Sequence, residues 1–165
     1  MKKFIITLLL AALPAVTFAQ SAFDKFSNVD GIEAVTISGK MFEMLGSVEA
    51  GDNDAETQKV LNQVKNLDNL KIFSTAEKKY RKEIRTAVTN YLKTNALEEL
   101  MSVKDGKSTI RIYVKQGASA NIVKEGLLFV EDADDKQVVL ISFTGTLNLN
   151  DLKDLKGFKG SKGAK

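Results

Sequence analysis

VKDGKSTIRIYV, residues 103–114, decides what kind of fold this chain has. Two apolar alternations flank Asp105-Gly106, yet Gly106-Lys107-Ser108 also spells the end of a phosphate-binding loop. Such a loop needs a glycine five residues before its Gly-Lys pair and a strand that leads into a helix. Position 101 is methionine, and Ile110, Ile112 and Val114 continue as a strand after Ser108. Without a glycine-rich loop there is no nest of backbone N–H groups to hold phosphates. The stretch reads instead as a β-hairpin, with Asp105-Gly106 at the centre of a type I′ turn.

The chain downstream of this hairpin is strand-like. Residues 97–104 and 108–115 form the hairpin itself, 116–121 read as a loop, and 127–131 and 137–144 form a second hairpin across DADDK. Residues 146–155 read as a closing segment. Upstream, 32–38 alternate with Val35 and Ile37 on one face, and 40–48 carry Met41, Phe42, Met44, Leu45 and Val48 at helical spacing. Asp54 could cap a second helix bearing Val60, Leu61, Val64 and Leu67, before a short strand over 70–73. Ser74-Thr75-Ala76-Glu77 has the form of a capping box. The helix it opens places Tyr80, Ile84, Ala87, Val88, Tyr91 and Leu92 on one face, with Thr94-Asn95 as its end. Runs of strands after helices predict an α+β fold, mainly one antiparallel sheet with helices packed on one face.

Residues 1–19 read as a secretory signal peptide. Lys2 and Lys3 precede an apolar run, and Thr17-Phe18-Ala19 puts small residues at the cleavage positions. Of the 165 residues, cleavage after Ala19 leaves 146, about one domain over 20–155, and a Gly/Lys tail over 156–165 too poor in apolar residues to fold. The formal net charge of +3 falls to +1 once Lys2 and Lys3 are removed, which gives little reason to expect a nucleic-acid partner. There is no cysteine, so no disulfide and no lipid-bearing thiol. The expected product is periplasmic or extracellular, soluble, and without stable membrane insertion.

Histidine and cysteine are both absent, which removes Ser-His and Cys-His nucleophiles and His-based metal sites. No cofactor is implied. The acidic clusters 52–56 and 131–135 could meet calcium, but a loop counted from Asp52 has Thr57 where glycine is required and Gln63 where the bidentate glutamate belongs. A carboxylate pair for glycoside cleavage remains formally open, although adjacent Glu98 and Glu99 point to opposite faces of a strand. Two groups of side chains are expected to face outward and are candidates for contacting a partner: the helix stripe Lys78, Lys82 and Arg85, and the strand face with Arg111, Tyr113 and Lys115. Tyr and Arg are favoured at interfaces and lysine is depleted, so Arg111 and Tyr113 rank first.

Three blocks carry a resemblance: FDKFSNVDGIEAVTISGKMFEML at 23–45, DGKSTIRIYVK at 105–115 and VVLISFTGTLNLNDL at 138–152. Together they resemble the domain of unknown function 4252 family of small exported Bacteroidetes proteins. Many of its members are envelope lipoproteins with a cysteine after the signal, where Gln20 stands here. The resemblance implies no activity and no catalytic residues; some relatives are encoded beside sigma-factor regulators, which implies an envelope-stress setting. The reading is a non-catalytic binding or accessory module of the bacterial cell envelope, whose partner is an envelope protein or glycan. The alternative is a carboxylate-dependent hydrolase acting on an envelope glycan.

Overall fold

Six strands, most of them rich in β-branched and aromatic residues, pair into one sheet in a computed structural model of the chain, which describes residues 22–47 and 64–150. In chain order the elements are β1 (Glu33–Ser38), α1 (Gly39–Ser47), β2 (Leu67–Thr75), α2 (Lys78–Thr94), β3 (Glu98–Asp105), β4 (Ser108–Gln116), β5 (Ile122–Asp132) and β6 (Gln137–Asn148). The sheet order is β1-β2-β6-β5-β4-β3, and every neighbouring pair is antiparallel. The fold is α+β with the sheet dominant. Strands β3 to β6 are a meander, and the crossover from β2 to the far edge is made by α2. Its 17 residues span about 25 Å, enough to cross four strand spacings of about 4.8 Å.

The core lies between α2 and one face of the sheet. Ile84, Val88 and Tyr91 from the helix meet Phe73, Leu127, Phe129, Val138 and Leu140 from the strands. Tyr80, Ala87 and Leu92 pack around them, so all six residues of the periodic helix face point inward. Phe23 and Phe26 flank a short 3₁₀ turn and close one end of this core, Phe23 against Tyr91 and Phe26 against Phe73. The same turn carries Asp24, whose carboxylate pairs with the ammonium of buried Lys71 on β2. That ion pair sits on the strand's inner side and ties the segment before β1 to the sheet.

Several local readings are corrected by the pairing. The capping box does not form. Pairing of β2 with β6 continues through Thr75, which keeps Ser74 in the strand, where its hydroxyl accepts from the Gln137 amide. Glu77 takes the N-cap position without a side-chain cap, and the Thr75 hydroxyl accepts its N–H while donating to the Gly31 carbonyl. Leu67, read as the last residue of a helix, opens β2 opposite Gly145. The strand over 70–73 therefore runs from 67 to 75. Val35 and Ile37 share one face of β1 as the alternation predicts, and it is Ala34 on the other face that packs against the core. The closing segment begins as the end of β6, and 151–155 lie outside the described residues, as do Asp54, Val60, Leu61, the tail and residues 1–19.

The decisive turn is a hairpin, shifted by one residue from the sequence reading. Asp105 pairs with Ser108, so the two central residues are Gly106 and Lys107. Gly106 has φ +58 and Lys107 is not in the left-handed region, the pattern of a type II′ turn, which needs glycine only at its first central position. Gly106→Val is expected to cost about 1–3 kcal/mol, because a β-branched residue resists positive φ even though the surrounding space is open. Lys107→Ala, which removes only an exposed pair with Asp134, is expected to cost less than about 1 kcal/mol. Urea midpoints of the two variants measure the difference, and ATP binding abolished by Lys107→Ala would reverse the assignment.

Candidate functional site

The two sets of candidate partner residues meet on the helix side of the sheet. Register places Arg111 in the same cross-strand row as Phe73, Leu140 and Phe129, so it shares their face. The helix core does not reach as far as β4 here, and long polar side chains fill the flank. Arg85 on α2 donates from Nε to Glu131 Oε1 at 2.6 Å, and Arg111 donates from Nη1 to Glu131 Oε2 at 3.5 Å. One β5 carboxylate thus holds a cation from each candidate set. Tyr113 is half-buried against the core cluster rather than standing outward. Burial raises its phenol pKa, the Glu99 carboxylate adds to that, and Arg111 opposes it. The expected outward face of β4 is therefore its inner flank, and Arg111 is engaged within the chain.

Lys78 and Lys82 remain exposed on α2. Lys82 joins Lys25, Lys79, Glu83 and Thr86 around an open hollow of about 340 Å³. A second hollow of about 280 Å³ is lined by Gly31, Ile32, Glu33, Ser74, Thr75, Ala76 and Gln137. Each brings a single carboxylate to its lining, whereas glycoside cleavage uses two facing ones. Glu98 pairs with Val114 and Glu99 with Tyr113, so these neighbours do face opposite sides.

The acidic loop 131–135 is engaged in structure. Glu131 serves the two arginines, and Asp134 pairs with Lys107. The Asp132 carboxylate accepts the N–H groups of Asp134 and Asp135 and the Ser108 hydroxyl, and these bonds, the Asp135 N–H first and then Ser108, hold its pKa below the usual carboxylate value. Ser108, the last residue of the apparent phosphate motif, thus bonds a carboxylate of the neighbouring turn. Among the described residues no group of three or more His, Cys, Asp or Glu is placed to hold a metal ion. The cluster 52–56 lies outside them. Deeper in, the Tyr91 hydroxyl donates to buried Glu125, and burial, reinforced by that carboxylate, pushes the phenol far above its ordinary pKa. A proton held so firmly inside the core suits a structural bond.

The opposite face of the sheet has a different character. Its middle row reads Val35, Ile72, Ile141, Leu128, Ile112 and Met101 across all six strands. Every one is apolar. The row on one side runs Glu33, Ser74, Val139, Val130, Ile110, Val103, and on the other Ile37, Leu70, Phe143, Gly126, Val114, Glu98. Charge appears only at the edge strands. Leu140 and Phe129 on the helix side are 0% and 3% exposed, but their outward neighbours Ile141 and Leu128, in the same central strands, are only half-buried. Val35 and Met101 at the ends of the row are 50% and 41% exposed. Three rows about 6.8 Å apart over six strands span a footprint of roughly 500 Å², at the upper end of the patches found on soluble monomers. Within it Gly126 and Val114 are buried and the rest is partly or fully exposed. Val114 is buried at one end, where the Phe143 ring lies over Gly126.

Sequence reasoning missed this face because each strand alone shows only that it alternates; which side is covered depends on where α2 lies. The signal present was the absence of charge from 138–143 and 127–130 on either parity, which marks strands with two apolar faces. Among the described residues, no helix is long and apolar enough to cross a membrane. A family model described as a domain of unknown function (DUF4252) matches residues 26–155, most of the chain. No curated protein and no solved structure matches it.

Proposed function

We propose that this chain, which belongs to the family described as domain of unknown function 4252, is a non-catalytic binding module of the bacterial cell envelope. Export is supported by the basic start, apolar run and Thr17-Phe18-Ala19. The observation that carries the binding role is the uncharged middle row of the outer sheet face, which stays partly exposed even in β5 and β6, where Phe129 and Leu140 on the other side are buried. An apolar patch at the upper end of the monomer range is often a functional surface. The partner is another polypeptide: a flat apolar face offers a sheet or helix area to bury, and lacks the convergent polar groups that would orient a small molecule.

The test is crosslinking in the living host, with a photoreactive phenylalanine analogue in place of Val103, at the rim of the face. Wild-type background is expected to give a discrete adduct. Adding Ile112→Lys should abolish it, and adding the helix-side pair Arg111→Glu/Tyr113→Ala should leave it. Adducts lost only in the helix-side variant would move the site to Arg85, Arg111 and Tyr113. Turnover of a glycan or ester by the purified wild-type chain would overturn the non-catalytic assignment in favour of the hydrolase.

A further inference from the structure

We infer that the polypeptide covering the outer sheet face is a second copy of this chain, packed face to face across a two-fold axis. The inference rests on the reading above that this face is a binding surface. Its first support is area. A patch of roughly 500 Å² on each of two copies removes about 1,000 Å², the level at which specific interfaces begin. Its second is charge. A symmetric pair must place the same patch against itself, so any charge in the patch centre would meet apolar surface or its own kind. Here the centre has none, and the two acids in the three rows, Glu33 and Glu98, sit on opposite edge strands at opposite ends.

The two in-plane axes can be compared from the register. With the axis along the strands, between β6 and β5, Ile141 lies over Leu128 of the partner subunit and Val35 over Met101 of the partner subunit. Glu33 then meets Val103 of the partner subunit, and Glu98 meets Ile37 of the partner subunit. With the axis across the strands the two acids exchange these apolar counterparts. Neither arrangement opposes like charges, and both leave the carboxylates at the rim, where they reach water. Aligned sheets about 10 Å apart, rotated by about 30°, would interdigitate the half-buried rows as in a β-sandwich.

At the β3 edge the strand's shape disfavours the competing way for two sheets to join, edge to edge. Strand β3 is exposed along its whole length and could pair edge to edge, but a register shift between Glu99 and Met101 interrupts its ladder. A bulge of that kind bends the strand and breaks its alternation, a recognised guard against edge pairing. Face-to-face packing needs no free ladder.

Sedimentation velocity on the chain as purified from an expressing bacterium, from about 10 to 500 µM, tests the proposal. Wild type is expected to rise toward twice the monomer mass. Ile112→Lys and Met101→Lys should each weaken association at least about tenfold while keeping the far-UV circular dichroism of wild type. Should Ile112→Lys not fold, Met101→Lys still decides, since its position is already 41% exposed. A wild type that stays monomeric overturns the inference, and so does a dimer that neither variant weakens. If the chain is monomeric while the in-cell adduct is still lost in Ile112→Lys, the partner is a different protein and the binding role stands without the dimer. If it is monomeric and Met101→Lys alone lowers Tm by more than about 10 °C, the face is covered within one chain, which overturns both.

Discussion

Phe73→Ala is expected to cost about 3–5 kcal/mol, a large part of the roughly 5–15 kcal/mol that holds an ordinary domain folded. Phe73 is 0% exposed in the C-terminal part of β2, between Ala34 on β1 and Leu140 on β6. Its ring stands edge-on to Phe26 with centroids 5.9 Å apart, so truncation removes buried area and also the anchor of the segment before β1. The neighbouring strands are held by long ladders on both sides, which limits collapse into the space left behind. The informative comparison is Ile72→Ala, one residue earlier and on the other face. Ile72 is only half-buried, so its loss should cost about 1 kcal/mol when measured on dilute monomer. Equal urea midpoint shifts for the two variants would mean that both faces are covered alike, and would remove the basis for the proposed interaction surface.

The contrast between those two neighbours also marks the limit of what could be read along the chain. Rules with a short range transferred well. The three- and four-residue spacing of Tyr80 to Leu92 picked out the residues of α2 that enter the core, and the Asp-Gly signal located the β3–β4 hairpin. The turn residues were displaced by one because strand pairing through Asp105 outweighed the preference of Asp-Gly for the central positions. Ser74-x-x-Glu77 failed as a cap for the same reason: β2 was still pairing with β6 where a helix could have begun. Parity was the larger loss. Ile110, Ile112 and Val114 alternate with Arg111 and Tyr113, and nothing local says which set meets the helix. The helix side fell to the polar set because α2 covers the central strands and leaves β4 a flank, where Glu131 gathers Arg85 and Arg111. Contacts such as Lys71 with Asp24 and Tyr91 with Glu125 join residues 47 and 34 positions apart, beyond any periodic rule.

Gly145→Ala is expected to be as damaging as the loss of Phe73, by a different route. Gly145 has φ +129, a conformation L side chains rarely adopt. It lies opposite Leu67 at the point where β2 carries one extra residue, Asp68, before the ladder resumes at Asn69 and Thr144. That irregularity brings the two backbones together, and the Thr146 N–H donates to the Asn66 carbonyl at 2.8 Å just beyond it. A Cβ at position 145 would stand 2.5 Å from Leu67 Cα and 2.6 Å from both Asn66 O and Asp68 N. These are main-chain atoms, which cannot swing aside as a side chain can. Backbone strain and overpacking each cost about 1–3 kcal/mol, so about 2–6 kcal/mol is at stake, and the start of β2 must detach if it is not met. Gly106→Ala separates the two contributions. Gly106 also has positive φ, but a Cβ there would meet nothing within 4 Å, so only the conformational part, about 1 kcal/mol, should appear. A Gly145→Ala midpoint shift no larger than that of Gly106→Ala would show that β2 and β6 are not held in this register, and Leu67 would return to the helix its spacing first suggested.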